Sequence, residues 1–366
     1  MEGVILMAML QKFQCLCCGG IVVYDSASQK IKCPYCETEF EAESVQSYLE
    51  DLQDAQENDL AWDCSDMGNW RFKELAGLRI YACKRCGEFV CDSKMEVSGC
   101  PICARPVDQA EGLTDQKRPE LVIPFALDKK SAKQVLKKQF DRKKLLPKVF
   151  KDEKHLEKLE GVYLPIWFFN ANVEGKTVYK ATQIRSRSDN TRDYTATMYY
   201  HVARAGSLDF PTVTKPGTSE LNDELLKMLE PYDVQKATHL HTTHLEGYFA
   251  QQCDVGSDEW LDGINEQIKS NVTTSFRNTV KSYDHVTQQS VVLRLQNSNV
   301  QCILCPVWFL TIPWKRKKYT VALNGQTGKL AGNLPMDRKV FWNWYFSLFG
   351  AVAAISFLVS WLLWLL

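Results

Sequence analysis

The longest uninterrupted apolar segment of the chain lies at its C-terminal end, where residues 341–366 carry no charged side chain. A helix over residues 345–366 would be about 33 Å long, enough to cross a hydrocarbon core of roughly 30 Å. Aromatic residues of the kind found at membrane interfaces flank both ends: Trp342, Trp344, Tyr345, Trp361 and Trp364. Because the segment is apolar on every side, we predict a transmembrane helix over 341–366 rather than a buried core helix.

Basic residues precede this span, and none follows it. Arg338 and Lys339 lie directly before it, and residues 315–318 are all basic. The positive-inside rule then keeps everything before Phe341 in the cytoplasm, and the span would insert after synthesis as a tail anchor. Residues 4–10 are also apolar, but this stretch is short and lacks a preceding basic region, so we expect no signal peptide.

The central part of the chain alternates between strand-like and helix-like patterns. Segments rich in β-branched and aromatic residues predict strands: 162–184, 192–204, 285–295, 300–312 and 318–323. Apolar residues at helical spacing predict helices: about 129–148, 220–229 and 261–272. We therefore expect an α+β cytoplasmic domain with antiparallel strands over 119–335.

Two of the strand segments resemble each other. Residues 163–169 read YLPIWFF and residues 304–310 read LCPVWFL, so each places a proline two residues before a tryptophan. The echo indicates either two related β units or a coincidence between two buried strands.

Charge is balanced overall, with 44 basic and 44 acidic residues, which argues against a surface built entirely for nucleic acid. Locally it is not balanced. Residues 41–76 form an acidic spacer with a short amphipathic helix, whereas residues 129–158 are strongly basic. The basic helix could rest on anionic lipid, follow phosphates or be a solvated face.

The fourteen cysteines carry the clearest chemical signal. Eight of them form two groups, and each group consists of two C-x2-C pairs. Fourteen residues separate the pairs of the first group and thirteen those of the second: Cys15, Cys18, Cys33 and Cys36, then Cys83, Cys86, Cys100 and Cys103. Such spacing lets two tight turns present four thiolates to one Zn²⁺. We predict two zinc ribbons, over 11–40 and 77–110, each with a structural zinc because four sulfurs leave no open position. Cys17 could compete for the first metal.

Other candidate sites are weaker. Cys302 and Cys305 share the spacing but lie in an apolar run, so we interpret them as buried strand residues. His239, His241 and His244 could hold a metal, although a surface loop fits the stretch better. Residues 324–329 (NGQTGK) lack the spacing of a phosphate loop and predict a hairpin turn. Because no catalytic set can be assigned, we do not expect an enzyme.

Taken together, the chain resembles the bacterial, Firmicutes-type membrane proteins named for a TFIIB-type zinc ribbon, some of which are labelled primosomal helicase-like. The resemblance rests on the two ribbons, residues 164–167 (LPIW), 306–310 (PVWFL) and 319–329 (YTVALNGQTGK), and the terminal span. It implies zinc on the eight paired cysteines, a cytoplasmic body and no established catalytic activity. It also implies partners of the flotillin (SPFH) or phage-shock coat type. The chain departs from the family at Leu16-Cys17, where proline is usual.

Three hypotheses follow. The first is a non-enzymatic, membrane-anchored adaptor that holds two zinc ions and recruits protein partners to the inner face of the membrane. The second is a membrane-tethered nucleic-acid-binding protein that uses the ribbons and the basic helix. The third is an enzyme built on the three histidines and Glu246.

Overall fold

The computed structural model describes residues 14–365 apart from 16–17, 46, 48–59, 65–66, 71–73, 75–76, 111–116 and 190–191. The apolar stretch at residues 4–10, Cys17 and most of the acidic spacer lie outside the described residues. The part that is described is a mixed α+β structure, as the sequence predicts. Its sheets are antiparallel or mixed and not antiparallel throughout, because two strand pairs are parallel.

Strands and helices are numbered here along the described chain. The strands are β1 Val23–Asp25, β2 Lys30–Lys32, β3 Glu39–Glu41, β4 Gly68–Asn69, β5 Leu78–Cys83, β6 Gly87–Asp92, β7 Asp108–Ala110, β8 Lys117–Arg118, β9 Leu121–Val122, β10 Glu160–Asp189, β11 Arg192–Pro216, β12 Thr238–His239, β13 Phe249–Gln251, β14 His285–Trp314, β15 Lys317–Asn324 and β16 Leu330–Ala331. The helices are α1 Lys129–Arg142, α2 Glu153–Leu156, α3 Asp223–Leu229, α4 Asp258–Asn278 and α5 Arg338–Leu365. The basic segment near 129–148 is thus helical over its first fourteen residues.

The chain divides into two compact units. The first comprises Met1–Cys64, Phe169–Thr212 and Trp260–Asn299, and the second Ser65–Phe168, Val213–Glu259 and Val300–Leu366. In the first unit, β1, β2 and β3 form an antiparallel sheet of their own. Helix α4 buries Ile264, Ile268, Val272 and Phe276, the fourfold repeat expected of a helix with one apolar face.

Helix α4 lies against strand β10 at Gly175. A Cβ atom there would lie 2.7 Å from Phe276 Cε2 and 2.9 Å from Val272 Cγ1. Only glycine therefore permits this close approach without moving the helix side chains.

In the second unit, the proline–tryptophan segment of β10 is held by a set of polar contacts that we call the first lock. The indole Nε1 of Trp167 donates to the Val255 carbonyl oxygen at 2.9 Å. The Gly217 N–H donates to the Pro165 carbonyl oxygen at 2.9 Å. The Gly217 carbonyl oxygen in turn accepts from the N–H groups of Asp254 and Val255 at 3.1 and 3.2 Å.

The matching segment of β14 repeats these contacts in a second lock. Trp308 Nε1 donates to the Leu127 carbonyl oxygen at 3.0 Å. The Gly325 N–H donates to the Pro306 carbonyl oxygen at 2.8 Å, and the Gly325 carbonyl oxygen accepts from Ala126 and Leu127 at 3.1 and 2.9 Å. The sequence echo is therefore a structural repeat and not a coincidence.

Each lock joins a long strand to a short strand–helix segment from elsewhere in the chain. The short strand β9, followed by α1, pairs in parallel with β14 through Leu121 and Ile303. The short strand β13, followed by α4, pairs in parallel with β10 through Phe249 and Val162. The two repeats are thus interlocked along the chain. The first strand–helix segment (β9 and α1) pairs with the later long strand β14, and the second segment (β13 and α4) pairs with the earlier long strand β10.

The segment Asn324–Lys329 is the hairpin turn that the sequence predicts. Strands β15 and β16 pair antiparallel on either side of it. The Asn324 side chain is buried. Its Oδ1 accepts from Gln326 and Thr327 N–H at 2.8 and 2.9 Å, and its Nδ2 donates to the Leu229 carbonyl oxygen at 2.8 Å. The conformation is an Asx turn in which the Asn324 side chain forms its hydrogen bonds with backbone groups of the protein.

Helix α5 is long and apolar enough to cross a membrane over Arg338–Trp364. None of its most apolar stretch is buried against the rest of the described chain. Its 27 residues correspond to about 40 Å of helix. Leu348, Phe357 and Trp364 are 62, 72 and 83% exposed, so the described part of the chain leaves this apolar surface uncovered.

Replacing Gly325 by alanine should destabilise the second lock. The new Cβ would lie 2.6 Å from Phe125 Cδ1 and 2.8 Å from Pro306 Cβ, an overlap that costs about 1–3 kcal/mol. Thermal unfolding of full-length G325A in detergent should therefore begin several degrees lower than in the native chain. Gly263→Ala is the matched control, since Gly263 lies inside α4 with open space around it, and helix propensity favours alanine there. Equal melting of G325A and G263A would contradict the lock.

Candidate metal centres

Cys15, Cys18, Cys33 and Cys36 converge at one end of the β1–β3 sheet. The Sγ atoms of Cys15 and Cys36 are 3.5 Å apart, as are those of Cys18 and Cys33. All four Sγ atoms lie within 4.8 Å of one another. Four sulfurs around a tetrahedral Zn²⁺ with 2.3 Å bonds would be about 3.8 Å apart, so these thiols stand close to a ligand arrangement.

Cys83, Cys86, Cys100 and Cys103 form the second group, with Sγ atoms again within 4.8 Å of one another. Cys83 Sγ and Cys103 Sγ are 3.7 Å apart. Strands β5 and β6 form the hairpin that carries the first pair. The structure thus assembles the eight cysteines into the two groups of four that their spacing predicts, and each group could hold one metal ion.

All four cysteine pairs share one backbone device. The residue after the second cysteine has a positive φ in every case: Gly19 (75°), Glu37 (59°), Gly87 (71°) and Ala104 (52°). This left-handed residue turns the chain so that both sulfurs face the same point. Glycine adopts it freely, whereas Glu37 and Ala104 hold it at a cost of about 1–2 kcal/mol each.

Backbone hydrogen bonds close three of these turns in the same way. The N–H of the left-handed residue donates to the carbonyl oxygen of the first cysteine, at 2.8 Å for Gly19, 2.9 Å for Glu37 and 2.8 Å for Ala104. The first cysteine N–H donates to the carbonyl oxygen of the residue that follows the left-handed one. The geometry is therefore a property of the turn itself.

Several of the thiols have shifted acidity. A hydrogen bond from the Thr38 hydroxyl, 3.2 Å from Sγ, lowers the pKa of Cys36 to about 6. A hydrogen bond with Cys86 lowers the pKa of Cys100 to about 5, and the same bond raises the pKa of Cys86. Burial raises the pKa of Cys103 to about 11. Each group thus contains one thiol that ionises easily, which favours a cation as the shared partner.

The two groups differ in exposure. Cys18 and Cys36 are exposed, whereas all four cysteines of the second group are buried. The sheet that carries the first group consists of β1, β2 and β3 alone. Solvent and chelators can therefore approach the first group directly.

The second group is built into the large sheet of its unit. Strand β6 pairs with β13, with Phe89 opposite Gln251, and Phe89 also packs edge-on against Phe249 at 5.6 Å. The Gln251 side-chain Nε2 donates to the Cys86 carbonyl oxygen at 2.6 Å. Metal loss at this site would therefore loosen the packing of the sheet.

Thr38 and Gln251 are the contributing residues that sequence reasoning missed. Thr38 lies only two residues beyond Cys36, so a hydroxyl at that position is a local signal that could have been noticed. Gln251 is 165 positions from Cys86, and no sequence pattern connects the two.

Cys302 and Cys305 are buried strand residues, as predicted. Burial holds the pKa of both thiols well above the usual value. The structure also brings Cys253 to within 4.0 Å of Cys302, sulfur to sulfur. Cys91 is buried in β6, where desolvation raises the pKa of its thiol to about 11.

The three histidines do not converge with other ligands. His239 lies in the short strand β12, and His241 and His244 cap a 3-10 turn over Thr242–Leu245. Among the described residues, the groups of three or more potential ligands are the two cysteine groups. The stretch is therefore a capped surface turn.

Comparison with known proteins gives a relative but no assigned family. The Bacillus subtilis (strain 168) protein YdjG, described as an uncharacterized protein, is 27% identical over 251 residues, which cover 69% of this chain and 74% of YdjG. No protein-family model matches the chain. No solved structure matches it either.

Metal should leave the two groups at different rates. In a full-length protein loaded with two metal ions, a chromogenic chelator should remove the first from the exposed group without changing the melting temperature. The second should leave only as the large sheet opens. Following metal release and thermal unfolding in parallel checks this, with C36S and C100S identifying the phases. Release of both ions in a single phase would contradict the difference in environment.

Thr38→Val should raise the pKa of Cys36 from about 6 toward the usual thiol value near 9. The thiolate is the reactive form, so alkylation of Cys36 in metal-free protein should become slower between pH 6 and 8. Mass spectrometry of iodoacetamide-treated protein measures the rate. T38S, which keeps the hydroxyl, should behave like the native chain, and a T38V profile that matches it would exclude the hydrogen bond as the cause.

Proposed function

We propose that this protein is a membrane-anchored, zinc-binding adaptor that recruits protein partners to the inner face of the cell membrane. The observation that carries the proposal is the pair of closed cysteine groups, in which four sulfurs surround each candidate metal position. Four thiolates on two hairpin turns are the usual ligands of structural zinc, and they leave no position for a reacting water. We accordingly interpret the two cysteine units as zinc ribbons.

The membrane anchor in this proposal is helix α5. Its apolar side chains are exposed along its length and would be covered by lipid. Arg338 and Lys339 at its start favour an orientation with the folded units in the cytoplasm. A cytoplasmic position also agrees with the described cysteines, none of which is joined in a disulfide.

The surface of the first ribbon supports an adaptor role. Ile21, Val23 and Tyr35 are 65, 51 and 72% exposed, an apolar group of the kind that protein partners cover. The family resemblance implies flotillin (SPFH) or phage-shock-type coat proteins as partners, and a membrane-stress response as the setting.

Nucleic-acid binding is less well supported. Two lysines of helix α1 that could contact phosphates, Lys133 and Lys137, pair instead with Glu157 and Glu153. On the first ribbon, Lys30 pairs with Glu41 at 3.1 Å. These carboxylates neutralise part of the basic surface that a phosphate backbone would need.

Purified full-length protein should contain about two zinc ions per chain by elemental mass spectrometry. C33S and C83S should each lower the content to about one, because three thiolates bind zinc more weakly than four. C253S is the control, since Cys253 lies outside both groups and should leave the content at two. A native protein with no zinc after purification under reducing conditions would sink the ribbon interpretation.

Replacing the exposed apolar residues of the first ribbon should remove partner binding while leaving the fold intact. We expect I21S/V23S to lose a stoichiometric protein partner in cross-linking from intact cells, with zinc content unchanged. Y194S, at a tyrosine that is 55% exposed on β11, is the control and should retain the partner. If I21S/V23S retains it as well, this surface is not the recruiting site.

A further inference from the structure

We propose that a cluster of basic residues at the start of helix α5 binds the head groups of anionic phospholipids. The cluster joins the end of helix α1 and the turn after it to the first residues of α5: Arg142, Lys143, Lys144, Lys148, Arg338 and Lys339. The inference rests on α5 being a membrane span, as proposed above. It adds a lipid preference and assigns it to residues about 200 positions apart in the sequence.

The face of helix α1 that carries Lys133 and Lys137 does not supply the lipid-binding charge. Lys133 and Lys137 point toward α2, where they pair with Glu157 and Glu153. Farther along, Lys151 lies 3.9 Å from Asp141. Three lysines of the basic segment are thus paired with neighbouring carboxylates.

The part of α1 that lies beside α5, its C-terminal end, carries unpaired positive charge. Arg142, Lys143, Lys144 and Lys148 are exposed, and among the described residues no carboxylate forms an ion pair with them. Two carboxylates adjoin the cluster, and both have other partners: Asp337 Oδ1 accepts from the Lys339 N–H at 3.0 Å and caps the helix, and Asp141 lies 3.9 Å from Lys151. The six basic groups of the cluster therefore outnumber the adjoining carboxylates.

Two contacts place this end of α1 beside the first turns of α5. The Asp337 N–H donates to the Leu145 carbonyl oxygen at 2.9 Å. Lys144 Nζ lies 4.8 Å from the centre of the Trp344 ring. Trp344 is one of the aromatic residues that would mark the membrane interface, so the Lys144 ammonium group lies at the level of the lipid head groups.

The positive charge of the cluster is complementary to anionic lipid head groups. The cytoplasmic leaflet carries anionic lipids whose attraction falls off within a Debye length, about 8 Å at physiological salt. Ammonium and guanidinium groups at the height of the aromatic belt lie inside that distance. The cluster would hold the second unit against an anionic surface in addition to the span itself.

The test uses full-length protein in nanodiscs of phosphatidylcholine, with or without a share of phosphatidylglycerol. Lysines are acetylated briefly with acetic anhydride and quantified by mass spectrometry. Lys143, Lys144 and Lys148 should be modified about fivefold more slowly in the anionic discs. Lys129 and Lys130, exposed at the other end of α1, serve as internal controls and should not change. High salt should abolish the difference.

Charge-matched variants provide a second readout. K143Q/K144Q should retain less phosphatidylglycerol during purification than K129Q/K130Q, which removes the same charge from the same helix. Equal modification rates in the two kinds of disc would overturn the proposal. So would protection in neutral discs by added glycerol phosphate or by an oligonucleotide, since the ligand would then be a soluble phosphate or a nucleic acid.

Resistance of the native chain to carbonate extraction, measured beforehand, separates this proposal from the one on which it rests. A chain that is extracted refutes the membrane span, and the lipid preference with it. A chain that resists extraction but shows no difference between the discs refutes the lipid preference alone.

Discussion

The second unit depends on one repeated interaction, in which a glycine backbone is clamped between a proline and a tryptophan-bound loop. At Gly217 and again at Gly325, the N–H donates to a proline carbonyl oxygen and the carbonyl oxygen accepts two further N–H groups. The nearby tryptophan indole donates to the same loop. These bonds satisfy backbone groups where hairpin and strand–helix segment meet, and the absence of a Cβ lets the chains come close enough to form them.

The two repeats of the second unit interlock because of where the two locks occur in the chain. Each strand–helix segment closes on a hairpin that is not its nearest neighbour in sequence, so neither half completes its core alone. The first cysteine group is carried by the three-stranded β1–β3 sheet, whereas the strands of the second group pair with β13. Among the described strands, one candidate metal centre therefore lies on a separate sheet, and the other lies on the sheet that contains β10 and β14.

Local features could be predicted from the sequence, and nonlocal ones could not. The spacing of Cys15, Cys18, Cys33 and Cys36 requires only two turns, and the apolar run of α5 requires only length. The echo around Trp167 and Trp308 gave a hint of duplication. The contacts that make this echo a structural repeat involve Gly217 and Gly325, whose partners are distant in sequence, so they could not be predicted. The pairing of Lys133 and Lys137 with α2 was hidden for the same reason, because a basic helix looks uncompensated until its neighbours are known.

The left-handed residues of the cysteine turns distribute backbone strain unevenly within each group. In both groups the turn nearer the N-terminus ends in glycine, Gly19 or Gly87, and the later turn ends in a residue with a side chain, Glu37 or Ala104. The earlier turn holds its left-handed residue without strain, whereas the later turn carries a cost of about 1–2 kcal/mol that its own backbone hydrogen bonds offset. Within each group, the later turn is therefore the one whose opening releases strain, and an ion shared by the four sulfurs would hold that turn closed.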